Sequence, residues 1–337
     1  MTTPVDDEHR PRLRDVAEAA GVDPSIASRI LSGADGLTVR PETRRRVLEA
    51  ASRLSYRPNT AARALKTRKT MAIGMIVPEL TNVAYATVAL GADARASRAG
   101  YALLVATGSV RDRLDAIEGR IDGLLVGIAT SETIRIGDLG GRLPTVLVNR
   151  RELLGIPSVT VDDAAGAALA TEHLLSLGHR HVGHVAGPQN SDTGRRRLAG
   201  HLAAMHAAGL DSPADWTVEG SYDEAGGELA ATRLLRVSPR PTALFVANVR
   251  AAIGALAAAR RLGLAVPRDL SLVGFHDAPF AMYLDPELTP VKMPLREMGG
   301  AAIESLLALV EGRPVEDVQV TTPPELLVRG STAPPSV

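Results

Sequence analysis

Between Asp23 and Leu31 the sequence reads Asp-Pro-Ser-Ile-Ala-Ser-Arg-Ile-Leu, and at helical spacing these residues sort onto two faces. Ile26, Ala27, Ile30 and Leu31 fall on the apolar side, with Pro24, Ser25, Ser28 and Arg29 opposite. Hydroxyls and a guanidinium on one exposed helix face are groups that read base edges in the DNA major groove. A guanidinium bonded to guanine O6 and N7 together discriminates by about 1–3 kcal/mol. Arg29 is therefore the strongest of the four. Ser25 can bond a base, a phosphate or its own helix, and Pro24 is equally a first-turn helix residue. A second run, from Asn59 through Ala62 and Leu65 to Lys66, gives a capped helix of one to two turns. Such a helix is too short to persist alone, so it is expected to fold only on DNA. Lys66, Arg68 and Lys69 would then serve phosphates, which positions a protein without reading sequence.

Other chemistry is poorly posed. Zero cysteines exclude a disulfide framework, a thiol nucleophile and thiolate metal sites. His179, His181 and His184 are clustered, but on a strand 179 and 181 share a face while 184 points away, so three metal ligands do not converge. Gly187 to Gly194 lacks the Lys-Ser/Thr that follows a phosphate loop, and neither a nucleophile elbow nor HExxH occurs. No enzyme, metal or cofactor is expected.

Three short helices must position the first constellation. Leu13, Val16, Ala17 and Ala20 make one apolar stripe that Gly21 stops; Asp23 caps a second helix through Leu31; a third, from Pro41 to Leu54, closes a small core with Val47, Ala51 and Leu54. Two short helices joined by a tight Gly-containing turn are a helix-turn-helix. Charge agrees with a polyanion partner. Residues 1–70 carry 14 Lys and Arg against 9 Asp and Glu, leaving 24 against 29 for the remainder of a chain whose net charge is zero.

From Met71 onward, short apolar runs alternate with Ala-rich helical segments, the pattern of βαβ units and parallel sheets. The strands expected are 71–77, 101–107, 123–128, 145–149, 158–161, 181–186, 243–247 and 271–275, and the helices 86–99, 164–177, 195–208, 224–235 and 251–262. Gly100, Gly178, Gly209 and Gly263 each stand where a left-handed helix stop belongs. A body of this length is natural as two sheets. No stretch approaches the ~20 apolar residues of a membrane span, and the polar N-terminus lacks the apolar core of a secretion signal, so a cytoplasmic protein is expected. The tail from Ser331 to Val337 is Pro-rich and has no heptads.

The segment from Arg14 to Gly33, with Arg40-Pro-Glu-Thr-Arg44 and Leu54-Ser-Tyr-Arg-Pro-Asn-Thr-Ala-Ala-Arg-Ala-Leu65, resembles the lactose-repressor (LacI) family of bacterial transcription regulators. The body continues the resemblance through Ile73-Gly-Met-Ile-Val-Pro78, Thr171-Glu-His-Leu-Leu-Ser-Leu-Gly-His179, Val273-Gly-Phe275 and Glu325-Leu-Leu-Val-Arg-Gly-Ser331. It implies an α/β protein with an all-α helix-turn-helix headpiece at 10–58 and a hinge helix and linker at 59–70. A two-lobed, periplasmic-binding-protein-like body with parallel sheets follows at 71–337, holding a small-molecule effector in its cleft and making the dimer contacts. The residues matching Pro24, Ser25 and Arg29 would face bases. Leu65 would wedge into a minor-groove base step or, alternatively, pack on the body.

For the effector, the resemblance points to Tyr85, Asn149, Arg197, Tyr222, Asn248 and His276. Three positions depart from the usual pattern, one of them Val249, which follows Asn248 where Asn-Asp is usual. Asn149 and His276 replace acids, and Arg197 remains, either to pair with an anionic effector group or to satisfy carbonyls. On the premise of a buried Arg197 without a nearby carboxylate, the cleft is expected to favour an anionic or acceptor-rich effector, bound more tightly as pH falls from about 8 to 6. The resemblance implies a homodimeric repressor on an inverted-repeat operator of double-stranded DNA, with no tetramer because heptads are missing. A corepressor- or partner-dependent regulator or an activator stays open within the family. A solute-binding protein would share the body but needs no headpiece.

Overall fold

The computed structural model describes residues 11–31, 38–57, 69–127, 143–151 and 155–336. They form two compact units, 1–70 and 71–337. The hinge residues Asn59, Ala62, Leu65 and Lys66 lie outside the described residues.

In the first unit α1 (Leu13–Ala20), α2 (Pro24–Leu31) and α3 (Pro41–Arg53) enclose one small core. Val16, Ala17 and Ala20 of α1, Ala27 and Ile30 of α2, and Val47, Ala50 and Ala51 of α3 are buried in it. Gly21 ends α1 in the left-handed region at φ +63°, which lets its N–H reach Glu18 O and the Val22 N–H reach Ala17 O. A Cβ there would be strained, so the turn that aims α2 depends on glycine. Asp23 starts α2, its carboxylate accepting from the Ser25 N–H at 2.8 Å.

The second unit holds two sheets of one design. In the first lobe β1 (Ala72–Val77), β2 (Ala102–Thr107), β3 (Gly123–Val126), β4 (Thr145–Val148) and β5 (Ser158–Thr160) run parallel in the order β2-β1-β3-β4-β5. Helices α4 (Val83–Arg98) and α5 (Val110–Ile117) belong to this lobe. The second lobe repeats the order with β6 (Val182–Ala186), β7 (Thr217–Glu219), β8 (Ala243–Val246), β9 (Ser271–Phe275) and β10 (Thr289–Lys292), giving β7-β6-β8-β9-β10. Its helices are α6 (Asp163–Ser176), α7 (Asp192–Ala207), α8 (Glu224–Leu234) and α9 (Val249–Arg261). The chain then returns to the first lobe with α10 (Leu295–Val310) and β11 (Val318–Gln319), and ends in the second with β12 (Glu325–Leu326), antiparallel to β10. The lobes are thus joined by three crossings: before α6, between β10 and α10, and between β11 and β12.

The eight expected strands all form, with ends shifted by at most two residues. Helix starts were less legible. The helices begin two or three residues early at α4, α7 and α9 because Asn82, Ser191 and Asn248 cap them with side-chain oxygens. Strands β7, β10, β11 and β12 were not anticipated; three have two or three residues, and β10 contains Pro290. Helix α10 was also missed, since Gly299-Gly300 reads as a break. Gly299 instead lets α10 press on α4, where a Cβ would overlap the Val88 carbonyl. Gly254 does the same for α9 against the Glu224 carbonyl of α8. The tail carries no pattern of its own, yet Ser331 Oγ donates to Leu272 O at 2.6 Å and Ala333 O accepts from Ser271 Oγ at 2.8 Å.

The three clustered histidines go separate ways. His179 bonds Thr242 and the tail carbonyl of Ala333, His181 lies on Trp216, and His184 stacks on Phe245 at 4.6 Å with His201 of α7 also 5.0 Å away. Among the described residues no group of three or more His, Cys, Asp and Glu is arranged to hold a metal, and no helix is long and apolar enough to cross a membrane.

Two outcomes are expected. A Gly254→Ala variant is overpacked against backbone, and it should lower the stability of the body by about 1–3 kcal/mol, read as a reduced urea midpoint. Burial pushes the His201 imidazole down to about 4 from 6.5. The unfolded chain therefore takes up this proton near 6.5 and the folded one only near 4, so stability falls as pH drops through that interval. Between pH 7 and 5 the loss should be about 2 kcal/mol from His201 alone. Urea titrations at both pH values check it, and His201→Gln should flatten the difference.

Candidate functional site

On α2 the polar side is outward: Pro24, Ser25 and Arg29 are exposed and Ser28 is half-buried, while Ala27 and Ile30 face the core. The bonds from Ser25 hold the Asp23 carboxyl below the usual carboxylate range, so it is a fixed negative charge at the helix start. Basic residues flank this surface in sequence on α3, where Arg44 and Arg46 are exposed and Arg45 sits between Glu42 and Glu49 at 3.5 and 3.3 Å.

In the body, all six residues expected around the effector line one cavity of about 320 Å³. They reach it from both lobes, mostly at the carboxyl ends of parallel strands and the helix starts that follow, where open α/β sheets bind ligands. Asn149 follows β4 and His276 follows β9, equivalent places in the two lobes. Both take left-handed backbone, φ +61° and +69°, which directs a side chain off the strand end into the cleft. Tyr85, in the first turn of α4, donates its hydroxyl to Gly127 O at 2.8 Å. Tyr222 reaches Thr193 Oγ1 at 3.2 Å. Asn248 caps α9, its Oδ1 accepting from Arg250 N at 2.7 Å and Ala251 N at 3.4 Å, which leaves its NH₂ as the group to offer a ligand.

Arg197 forms the floor of the cleft. Its Nε donates to Asp163 Oδ1 at 2.7 Å, one terminal nitrogen to Ala247 O at 2.7 Å and the other to His276 Nε2 at 2.9 Å; it also lies 4.2 Å from the Phe275 ring centroid. Asp163 is fully buried, and its other oxygen lies 2.8 Å from Arg196 as an ion pair, while that guanidinium donates its hydrogen bond to Val161 O. This overturns the premise of an uncompensated arginine. The carboxylate is there, 34 residues earlier in the chain at the start of α6, where Asp162-Asp163 reads in sequence merely as a helix cap.

The expected tightening of effector binding between about pH 8 and 6, which requires His276 to gain a proton there, is corrected too. Burial, with Arg197 beside it, holds its imidazole well below the usual histidine range, so it is neutral across the physiological span. Since Nε2 accepts from a guanidinium, the proton of the neutral ring sits on Nδ1. That nitrogen is buried and has no hydrogen-bond partner, as is Asn149 Oδ1.

Two further arginines were not singled out in sequence, and both cross between the lobes. Arg150, buried beside Asn149, donates to Thr193 Oγ1 at 2.9 Å and to Tyr85 OH at 3.3 Å. Arg250, at the start of α9, pairs with Glu224 at 2.7 Å and with Glu79 of the first lobe at 2.8 Å. The only sequence signal was position, since each directly follows or nearly follows a residue that was identified.

Comparison with known proteins bears on both units. Residues 12–59 match the family described as bacterial regulatory proteins, lacI family, and residues 171–332 match the periplasmic binding protein-like domain. The chain is 35% identical over 343 residues to the HTH-type transcriptional regulator reg1 of Streptomyces lividans, covering 96% of each. Among solved structures it is similar to the lac repressor dimer bound to operator and the anti-inducer ONPF, with a TM-score of 0.82 and 27% identity over 96% of this chain and 100% of that one. It is also similar to the transcriptional regulator CelR–cellobiose complex, with a TM-score of 0.72 and 30% identity over 96% and 100%. Similarity that runs the length of both chains, through headpiece and body alike, makes this chain a member of the lacI family of bacterial DNA-binding transcriptional regulators.

Proposed function

We propose that the protein is a cytoplasmic homodimeric repressor that reads an inverted-repeat operator through α2 and is controlled by a sugar or related metabolite in the cleft between its lobes. The observation that carries the DNA half is the division of α2. Its apolar residues are consumed by the headpiece core, and Pro24, Ser25 and Arg29 are left outward on a module with excess positive charge. One such module spans a half-site, and two-fold symmetry doubles it. Residues 59–70 are assigned to the hinge that joins headpiece to body, with Leu65 as the minor-groove wedge and Lys66 on phosphate. The effector half is supported by a cavity of about 320 Å³ with polar groups converging from both lobes, and by relatives whose structures hold cellobiose or the anti-inducer ONPF.

Binding-site selection on purified variants tests the reading. Arg29→Ala should relax preference at one base pair per half-site, worth about 1–3 kcal/mol, while Lys66→Ala should weaken all sequences about equally. Equal effects would reject the assigned roles. Operator affinity should also fall steeply with salt, by about 0.9 log units per log unit for each phosphate neutralised. A flat response in a fluorescence-anisotropy titration would remove the DNA assignment.

A further inference from the structure

We propose that Arg250 is a clasp at the rim of the cleft, and that it limits how fast a small molecule enters or leaves by holding the two lobes together there. The inference rests on the effector reading of the cleft and adds to it the contact that governs access. Its first support is the burial of the cavity. Ala84, Tyr85 and Asn149 of the first lobe and Thr193, Arg197 and Asn248 of the second line it, and all six are buried. A molecule reaches such a lining when the lobes part, and two-lobed bodies joined by a few crossing segments open by hinge motion. Pro78 and Glu79 also line the cavity but meet solvent, Glu79 with 45% of its side chain exposed, and they mark its rim.

Its second support is the geometry at that rim. Glu224, in the first turn of α8, accepts from Arg250 Nε at 2.9 Å and from Nη2 at 2.7 Å, so the guanidinium is held on two bonds by its own lobe. This two-bonded pairing fixes its plane. The helices come close enough for it because Gly254, one turn after Arg250, leaves room for the Glu224 carbonyl. The third nitrogen, Nη1, reaches the first lobe, at Glu79 Oε1 2.8 Å away and Thr81 Oγ1 3.1 Å away. Thr81 in turn donates to the other Glu79 oxygen at 2.8 Å, which orients that carboxylate. A guanidinium already ordered by Glu224 loses little further freedom when the lobes meet. The bonds from Arg250 hold the Glu224 carboxyl below the usual carboxylate range, so the arginine keeps a charged partner when the lobes part. The crossing bond to the half-exposed Glu79 is the labile one, weak and screened by salt. Arg150 also crosses, to Thr193, but it is buried and its acceptor there is a hydroxyl, so added salt acts chiefly on the Arg250 contact.

The chain has no cysteine, so one introduced thiol is a unique probe of opening. Ala84→Cys puts it on the buried lining, and Ser97→Cys, at an exposed position of α4, is the control. In the ligand-free full chain, N-ethylmaleimide, an uncharged reagent, should label the Ala84→Cys thiol about two- to five-fold faster when Glu79→Gln is added, and faster still with Glu79→Lys, which faces Arg250 with a like charge. Glu79→Gln combined with Arg250→Gln should label no faster than the quicker of the two alone, since both break one contact. Raising salt from about 50 to about 500 mM should speed labelling with Glu79 present and leave the Glu79→Gln background unmoved. Labelling of Ser97→Cys should not respond to any of these changes. Unchanged labelling in Glu79→Gln, or an equal salt response with and without Glu79, overturns the proposal. So does faster labelling matched by an equal loss in the urea midpoint, which is general destabilisation.

Cellobiose, glucose and glucose 6-phosphate are then tested for slowing the labelling of Ala84→Cys. For a probe that protects, stopped-flow binding should show entry and exit both faster in Arg250→Gln, a position outside the cavity lining. Faster exit with unchanged entry is a lost ligand contact and overturns the gating role. Protection by none of the three counts against the effector reading alone, because the ligand-free rates decide the clasp.

Discussion

The carboxylate of Asp163 is the contact on which the floor of the cleft depends. It is fully buried at the first turn of α6 and binds Arg197 from one oxygen and Arg196 from the other. Taking three charged groups out of water is costly, and the cost is met only by near-ideal geometry and further hydrogen bonds. Those bonds exist. Arg197 also holds the Ala247 carbonyl at the end of β8 and the imidazole that follows β9. One ion pair thus registers α6, α7 and the ends of two strands against one another, and it determines which nitrogen of His276 carries a proton. Removing one partner of such a pair strands the other, which in general costs about 3–5 kcal/mol.

The same strand order in both lobes gives this contact its setting. In each sheet the strand order reverses beside the first strand, and helix starts converge at the carboxyl ends next to that point. Asn149 and His276 are the corresponding residues of the two halves, each in left-handed backbone and each with a buried polar atom that has no partner. Left-handed backbone at a non-glycine residue is unfavourable for folding alone, and here it recurs at two equivalent strand ends that both line the cavity.

The headpiece was legible nearly residue by residue, because its three helices are short, amphipathic and punctuated by Gly21, Asp23 and Pro24, all local signals. The strand pattern of the body was legible for the same reason. Helix α10 was not, since Gly299-Gly300 breaks the local pattern and only the approach of α4 explains it. The cleft shows the same division. The positions of Tyr85, Asn149, Arg197, Tyr222, Asn248 and His276 followed from resemblance, and they line one cavity. Their charge state did not follow. It depends on Asp163 and on the arginines crossing between lobes, contacts between residues tens of positions apart that no local window contains.

The three crossings between lobes give Asp163 a mechanical meaning. Two of them, between β10 and α10 and between β11 and β12, pass without an ion pair to the cleft floor among the contacts described above. The third enters α6 at Asp163 itself, so the residue that anchors Arg197 also stands on one of the three connections between the lobes. Anything seated on Arg197 is therefore one side chain away from the chain segment that links the lobes.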